Sequence, residues 1–155
     1  MGRIAVLAIL LLLGGAWSFG VHAESHEGLL KDNPERLGIF VDADQTCPFV
    51  RDDLLEIVTG EMTHQNLSAK KFEAQEVYLK VIVSCAKSEA GGYVYNVMVD
   101  FVIAESRGLV RPWQGIYGAY GLGRTGSILQ VAGEATRDAL RDYLDSNPDL
   151  APKKP

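Results

Sequence analysis

Two stretches of strict alternation leave this chain few ways to fold. In VYLKVIVSC (77–85), Val77, Leu79, Val81, Val83 and Cys85 share one side, and Tyr78, Lys80, Ile82 and Ser84 the other. In YVYNVMVDFVI (93–103), Tyr93, Tyr95, Val97, Val99, Phe101 and Ile103 alternate with Val94, Asn96, Met98, Asp100 and Val102. A two-residue period belongs to a β-strand. The intervening SEAGG (88–92) reads as a turn, so the two runs form a hairpin with one strongly apolar face. An isolated hairpin is marginal in water, so other segments must cover that face.

The remaining patterns supply the cover. LGIFV (37–41), bounded by Asp42 and Asp44, reads as a short buried strand. Val50, Leu54, Ile57, Val58 and Met62 recur at helical spacing. They predict a helix from about Pro48 to about Asn66, with Thr46 or Cys47 as N-cap. Gly60 weakens its last turn. ESRG (105–108) reads as a second turn, followed by a third meander strand from about Trp113 to Tyr120. Ile128, Val131, Ala132, Ala135, Ala139 and Tyr143 stripe a second helix from Ser127 to about Asp145. Ser127 with Gln130 has capping-box spacing, and Asn147-Pro148 ends the helix. The expected fold is a single α+β domain over 37–147, in the order β-α-β-β-β-α. It has a mixed four-stranded sheet and two helices. Residues 24–36 are expected to form a flexible lead-in and 148–155 a loose tail.

The amino terminus sets the compartment. Arg3 precedes the unbroken apolar run Ile4–Leu13, and small residues lead to Val21-His22-Ala23. This is the pattern of a secretory signal peptide over 1–23, cleaved after Ala23. The apolar run alone is too short to span a bilayer. No cysteine follows it closely, so there is no lipobox and no expected stable membrane anchor. The expected location is the periplasm or the exterior. The chain has two cysteines, Cys47 and Cys85. Export favours a disulfide between them. If the first helix crosses over between parallel strands, both cysteines lie at one margin of the sheet.

Charge and motifs exclude several functions. The net charge is −5, with lysines and arginines scattered, which argues against a nucleic-acid partner. GLGRTGS (121–127) satisfies G-x-G-x-x-G through Gly121, Gly123 and Gly126. A dinucleotide site needs a further strand after the helix, and here the chain ends. A P-loop needs a lysine before Ser127, where Gly126 stands. The segment is therefore read as a strand-to-helix turn, with no nucleotide and no cofactor. Glu61-x-x-His64 lacks the second copy that a di-metal bundle site requires, and Asp42 and Asp44 suit a helix N-terminus better than a metal. No metal site is expected. A disulfide removes the thiol that a Cys–His nucleophile needs, and no Ser-His-Asp context appears. No catalytic residues are assigned, and the chain is read as not an enzyme, a hydrolase being the least favoured reading.

Two surfaces remain. If both helices cover the more apolar sheet face, the other carries Tyr78, Ile82, Val94, Met98 and Val102, broken by Asn96 and Asp100, and extended by Ile116 or Tyr120. That is more apolar than a solvated face needs, and it is the candidate partner-binding surface or self-association surface. The alternative is a small-ligand or glycan site on Trp113, Tyr117 and Tyr120, although aromatics at strand spacing more often pack.

The segments VYLKVIVSC, YNVMVDFVIAESRGLVRPWQG and GEATRDALRDYL resemble small bacterial envelope proteins related to the TolB amino-terminal domain and the peptidoglycan-synthase activator lipoproteins. The resemblance covers about half of the chain, and this sequence departs from many of those proteins in lacking a lipobox. It implies a non-catalytic accessory or adaptor protein that docks onto a larger envelope assembly by protein–protein contacts. No binding residue carries over.

Mass spectrometry of the exported protein should give Glu24 as its first residue. Intact Met1–Pro155 in the membrane fraction would refute the signal peptide.

Overall fold

The computed structural model describes residues 36–70, 77–104 and 110–148. The expected signal peptide (1–23), the expected lead-in up to residue 35, the expected turn at 105–108 and the expected tail from 149 lie outside the described residues. The order is β1 (Arg36–Ala43), α1 (Arg51–His64), β2 (Ser68–Lys70), β3 (Val77–Lys87), β4 (Tyr93–Ala104), β5 (Val110–Gly123) and α2 (Thr125–Ser146). The four expected strands and two helices occur in the expected α+β order. The short β2 joins them at one margin, giving the sheet order β2-β1-β3-β4-β5.

The alternating runs pair as one antiparallel ladder from Val77↔Ile103 to Lys87↔Tyr93. β1 lies parallel to β3 on the other side, from Gly38↔Tyr78 to Ala43↔Val83. Leu79, Val81, Val83, Val97, Val99 and Phe101 are buried beneath both helices, as the alternation requires. Leu54, Val58 and Met62 of α1 and Ile128, Ala132, Ala139 and Tyr143 of α2 complete that core. Each fully buried large apolar side chain contributes about 1.5–3 kcal/mol. Phe101 and Tyr143 stack with ring centroids 5.7 Å apart. The helices also touch each other. A Cβ on Gly133 would come within 3.2 Å of Ile57 Cγ2, and beside it the Arg137 guanidinium donates to both oxygens of Glu61 at 2.9 and 2.7 Å.

Both helix starts differ from expectation. α1 begins at Arg51 with Val50 as N-cap, so Pro48 precedes the helix and neither Thr46 nor Cys47 caps it. The Asp53 carboxylate, at the third helical position, accepts the Val50 N–H at 3.0 Å, which is the returning half of a capping box. α2 begins at Thr125, and Ser127 is inside its first turn. The Ser127 hydroxyl accepts the Arg124 N–H at 2.9 Å and donates to the Arg124 carbonyl at 2.8 Å. Gln130 instead donates to Glu134. At the far end of α1, Asn66 takes a left-handed conformation, φ 59°. The Leu67 and Asn66 N–H groups return to the Met62 and Thr63 carbonyls, and Leu67 is buried. This Schellman closure ends α1 at His64, two residues before the expected end, and turns the chain into β2.

Because β1 and β3 are parallel neighbours, their carboxyl ends share one sheet margin. Cys47, just past β1, meets Cys85 in β3 there with Cα atoms 4.9 Å apart, and the two form a disulfide. The Thr46 hydroxyl donates to the Cys85 carbonyl, and the Asp44 N–H to Val83 O at 2.9 Å. The connecting loop is therefore held to β3 by hydrogen bonds just ahead of the bridge.

Alkylation of the denatured, non-reduced protein should find no free thiol. Replacing both cysteines with serine should lower the unfolding free energy by up to roughly 4 kcal/mol, the chain-entropy value for a loop of this length. Two free thiols in exported protein would refute the pairing.

Candidate functional site

With both helices on one face, the register defines the other. Across β1, β3, β4 and β5 it runs in rows: Phe40–Lys80–Asp100, Asp42–Ile82–Met98–Gly118, Ser84–Asn96–Tyr120 and Ala86–Val94–Leu122. The five sequence-predicted contact residues all lie on this face, but not equally open. Tyr78 is buried, at 6 % exposure. Ile82, Met98 and Val102 are half-buried, and Val94 is 53 % exposed. The apolar group most open to solvent is therefore centred nearer the far end of the hairpin than expected. Val94 is joined there by Tyr120 at 88 % and Leu122 at 59 %, with Phe40 farther along the face. Leu122 was legible only with the right end for β5. That strand continues to Gly123, three residues past its expected end, and the register then sets Leu122 beside Val94.

A charged pair crosses the middle of this face. Lys80 Nζ lies 3.7 Å from Asp100 Oδ2. Asp100 is itself buried, and among the described residues its Oδ1 has no hydrogen-bond partner. Burial pushes its carboxyl above the ordinary carboxylate range, and Lys80 offsets part of that rise.

The sheet margin at β5 is the second feature. Its pairing with β4 is regular from Ile116 to Gly123. A groove of about 340 Å³ separates it from α2, lined by Tyr117, Gly118 and Ala119 on the strand and by Val131, Glu134, Ala135 and Asp138 on the helix. The Tyr117 hydroxyl donates to the Asp142 carboxylate, and its ring meets Phe101 edge-on at 6.4 Å. Burial, the hydrogen bond to Asp142 and the negative charges of Asp142 and Asp138 all raise its pKa above the ordinary 10.0.

This geometry divides the alternative aromatic site. Tyr117 faces α2, with Tyr93 and Tyr95 packed against the core on that same side, whereas Tyr120 stands on the opposite face. The side chain of Trp113 lies outside the described residues. Tyr117 and Tyr120 therefore do not form one stacking platform.

The glycine motif has a packing role. Gly121 and Gly123 lie in β5 and Gly126 in α2, so none occupies a loop between strand and helix. A Cβ on Gly121 would sit 3.0 Å from the Tyr95 hydroxyl oxygen. One on Gly123 would sit 3.1 Å from Tyr95 Cε1 and would overlap Ser127 Oγ. Glu61 is committed to Arg137 and not to a metal with His64. Among the described residues, no cluster of three or more His, Cys, Asp or Glu could hold a metal ion. A cleft of about 470 Å³ beside the disulfide is lined by one stretch of chain, Ala43 to Gln45 and Cys47 to Arg51. Arg51 there donates to the Val41 carbonyl at 2.7 Å. Among the described residues, no helix is long and apolar enough to cross a membrane.

No family model matches the chain, and no curated protein matches it, so no catalytic family is identified. The resemblance to envelope proteins rests on the quoted segments alone. Among solved structures, a point variant of the PelC dodecamer from Paraburkholderia phytofirmans is similar at 16% identity and TM-score 0.45, over 70% of this chain and 87% of that one. A likeness at that level carries no functional argument.

Tyr117→Phe removes the bond to Asp142 and should lower stability by about 0.5–1.5 kcal/mol at neutral pH. The folded state holds this phenol protonated, so its contribution is complete below pH 10 and fades as the unfolded phenol ionises above it. Denaturant titrations of both proteins should converge as pH rises past 10. A constant difference would assign the loss to packing.

Proposed function

We propose that the chain is an exported, non-catalytic accessory protein of the bacterial envelope, acting through protein–protein contacts on the sheet face that the helices leave uncovered. The observation that carries this reading is the open apolar group of Val94, Tyr120 and Leu122 on that face. Contiguous exposed apolar surface on a small domain marks an interaction site. The half-buried Met98 and Ile82 continue the group toward the centre of the sheet. The Cys47–Cys85 bridge supports the export part of the reading, since disulfides persist in oxidising compartments. The signal-peptide pattern ahead of Glu24 supports it too, and periplasmic placement follows if the source is a bacterium with an outer membrane. The resemblance to envelope accessory proteins points the same way.

The test uses the two most separable positions. Val94 and Leu122 are exposed neighbours across β4 and β5, so Val94→Asp with Leu122→Asp should shift the melting temperature by no more than about 4 °C. The same double variant should lose the stoichiometric partner that wild-type protein captures from an envelope extract by crosslinking. Met98→Asp tests the half-buried part of the face. Capture undiminished in both variants would remove this face from the function.

A further inference from the structure

β5 ends the sheet. Among the described residues it pairs only with β4, so the groups on its other side have no ladder partner. Exposed edges are normally guarded by charged side chains, proline, bulges or short length. The other margin, β2, is guarded by being three residues long. The first part of β5 carries such guards, in Arg111, Pro112 and the bulge before Ile116, but its regular part has none. From Ile116 to Gly123 it carries no charged residue and no proline, and Gly118, Ala119, Tyr120 and Leu122 are exposed. Such an edge is a template for an added strand.

The surroundings select the occupant. A strand laid along β5 presents alternate side chains to the two faces. On the helix side they meet the groove beneath Glu134 and Asp138, both exposed on the flank of α2. Arg137, the cation between them in sequence, is bound to Glu61 on the far flank, against α1. Arg141 reaches Asp138 only at 3.7 Å, with both side chains mostly in solvent. On the other face the added side chains meet Tyr120 and Leu122. The complementary strand is therefore basic on one side and apolar on the other. A second copy fits less well. Antiparallel β5–β5 pairing about a two-fold axis places both α2 helices on the same face, with their acidic flanks turned toward each other. Like charges so juxtaposed oppose association.

We propose that the β5 edge binds an extended segment of another polypeptide by strand addition, with basic side chains set against Glu134 and Asp138 of α2 and apolar ones beside Tyr120 and Leu122. This rests on the adaptor reading and names the chemistry of the partner.

The probe is a short fluorescein-labelled peptide in which lysine and valine alternate, titrated against the purified full chain and followed by anisotropy. Two further peptides carry N-methyl groups on one or the other set of alternate amides, with the same charge. One set faces β5 and the other faces away, so one methylated peptide should bind like the parent and the other should lose at least about tenfold. Glu134→Gln with Asp138→Asn should weaken the parent about three- to tenfold without changing the melting temperature. Saturable binding with these two asymmetries supports the proposal. Absence of binding overturns it. So does equal binding of both methylated peptides, which leaves only charge attraction, or indifference to the α2 variant. Sedimentation showing a dimer of the free protein that the peptide does not dissociate would place a second copy at the edge and also overturn it. If the Val94/Leu122 double variant abolishes partner capture while the peptides fail, the adaptor reading stands and the strand-addition proposal falls. Peptide binding with both asymmetries, but no partner captured by wild-type protein, supports strand addition and removes the adaptor reading.

Discussion

Every other element takes its place from the β3–β4 ladder. Eleven residues of β3 are paired without interruption to β4, from Val77 to Lys87. A period of two permits only one assignment of faces, because a one-residue slip would turn Leu79, Val81 and Val83 outward together with their partners. The apolar face so defined is wide enough for two helices. Once α1 and α2 both occupy it, the opposite face and the β5 margin are left without helical cover. The exposure of Val94, Tyr120 and Leu122 thus follows from where the core was put.

Sequence patterns report burial and chain reversal unevenly, and this shows in which parts of the fold were legible. The hairpin and the two helical stripes were readable because each repeats a physical signal over several residues, whereas the parallel placement of β1 was only a condition drawn from the helix between two strands. β2 was not, since three residues cannot show a period, and its pairing with β1 depends on where Asn66 turns the chain. The start of α1 was misplaced because Pro48 suits a first turn as a type, whereas the hydrogen bond that organises the terminus comes from Asp53. Of the candidate surface, the β3 and β4 residues were read onto the correct face. Their solvent exposure was not, because Tyr78 and Met98 occupy equivalent positions in the pattern yet differ in burial.

The disulfide and the hairpin hold the two ends of one margin. β3 is central, flanked by β1 and β4, so tying Cys85 to Cys47 fixes the loop leading into α1 against the most constrained strand in the sheet. The Arg51 bond to Val41 O anchors the same loop to β1. α1 in turn holds α2 through Gly133 and the Glu61–Arg137 pair. That last contact has a consequence for the surface. It draws Arg137 to the α1 side, so that among the described charges beside β5 only the solvent-exposed Arg141 approaches Glu134 and Asp138.

The glycines of GLGRTGS connect the packing to the open edge. Tyr95 needs room on the helix side of β5, and Gly121 and Gly123 supply it by having no side chain. Ser127 folds back under Gly123 to bond both main-chain groups of Arg124, and any side chain at 123 would displace it. The spacing that resembles a phosphate loop is thus accounted for by one tyrosine and one serine. The same demand explains why the regular part of this edge lacks guards. On the helix side of β5, positions 121 and 123 must be empty and Ala119 is small, so a lysine or glutamate at 121 or 123 would collide with Tyr95 or Ser127. Protection could come only from the outer positions, and those hold Tyr120 and Leu122. Packing explains the glycines but does not require aromatic and aliphatic side chains at two positions open to water, and the proposed contact with another polypeptide would supply the physical reason.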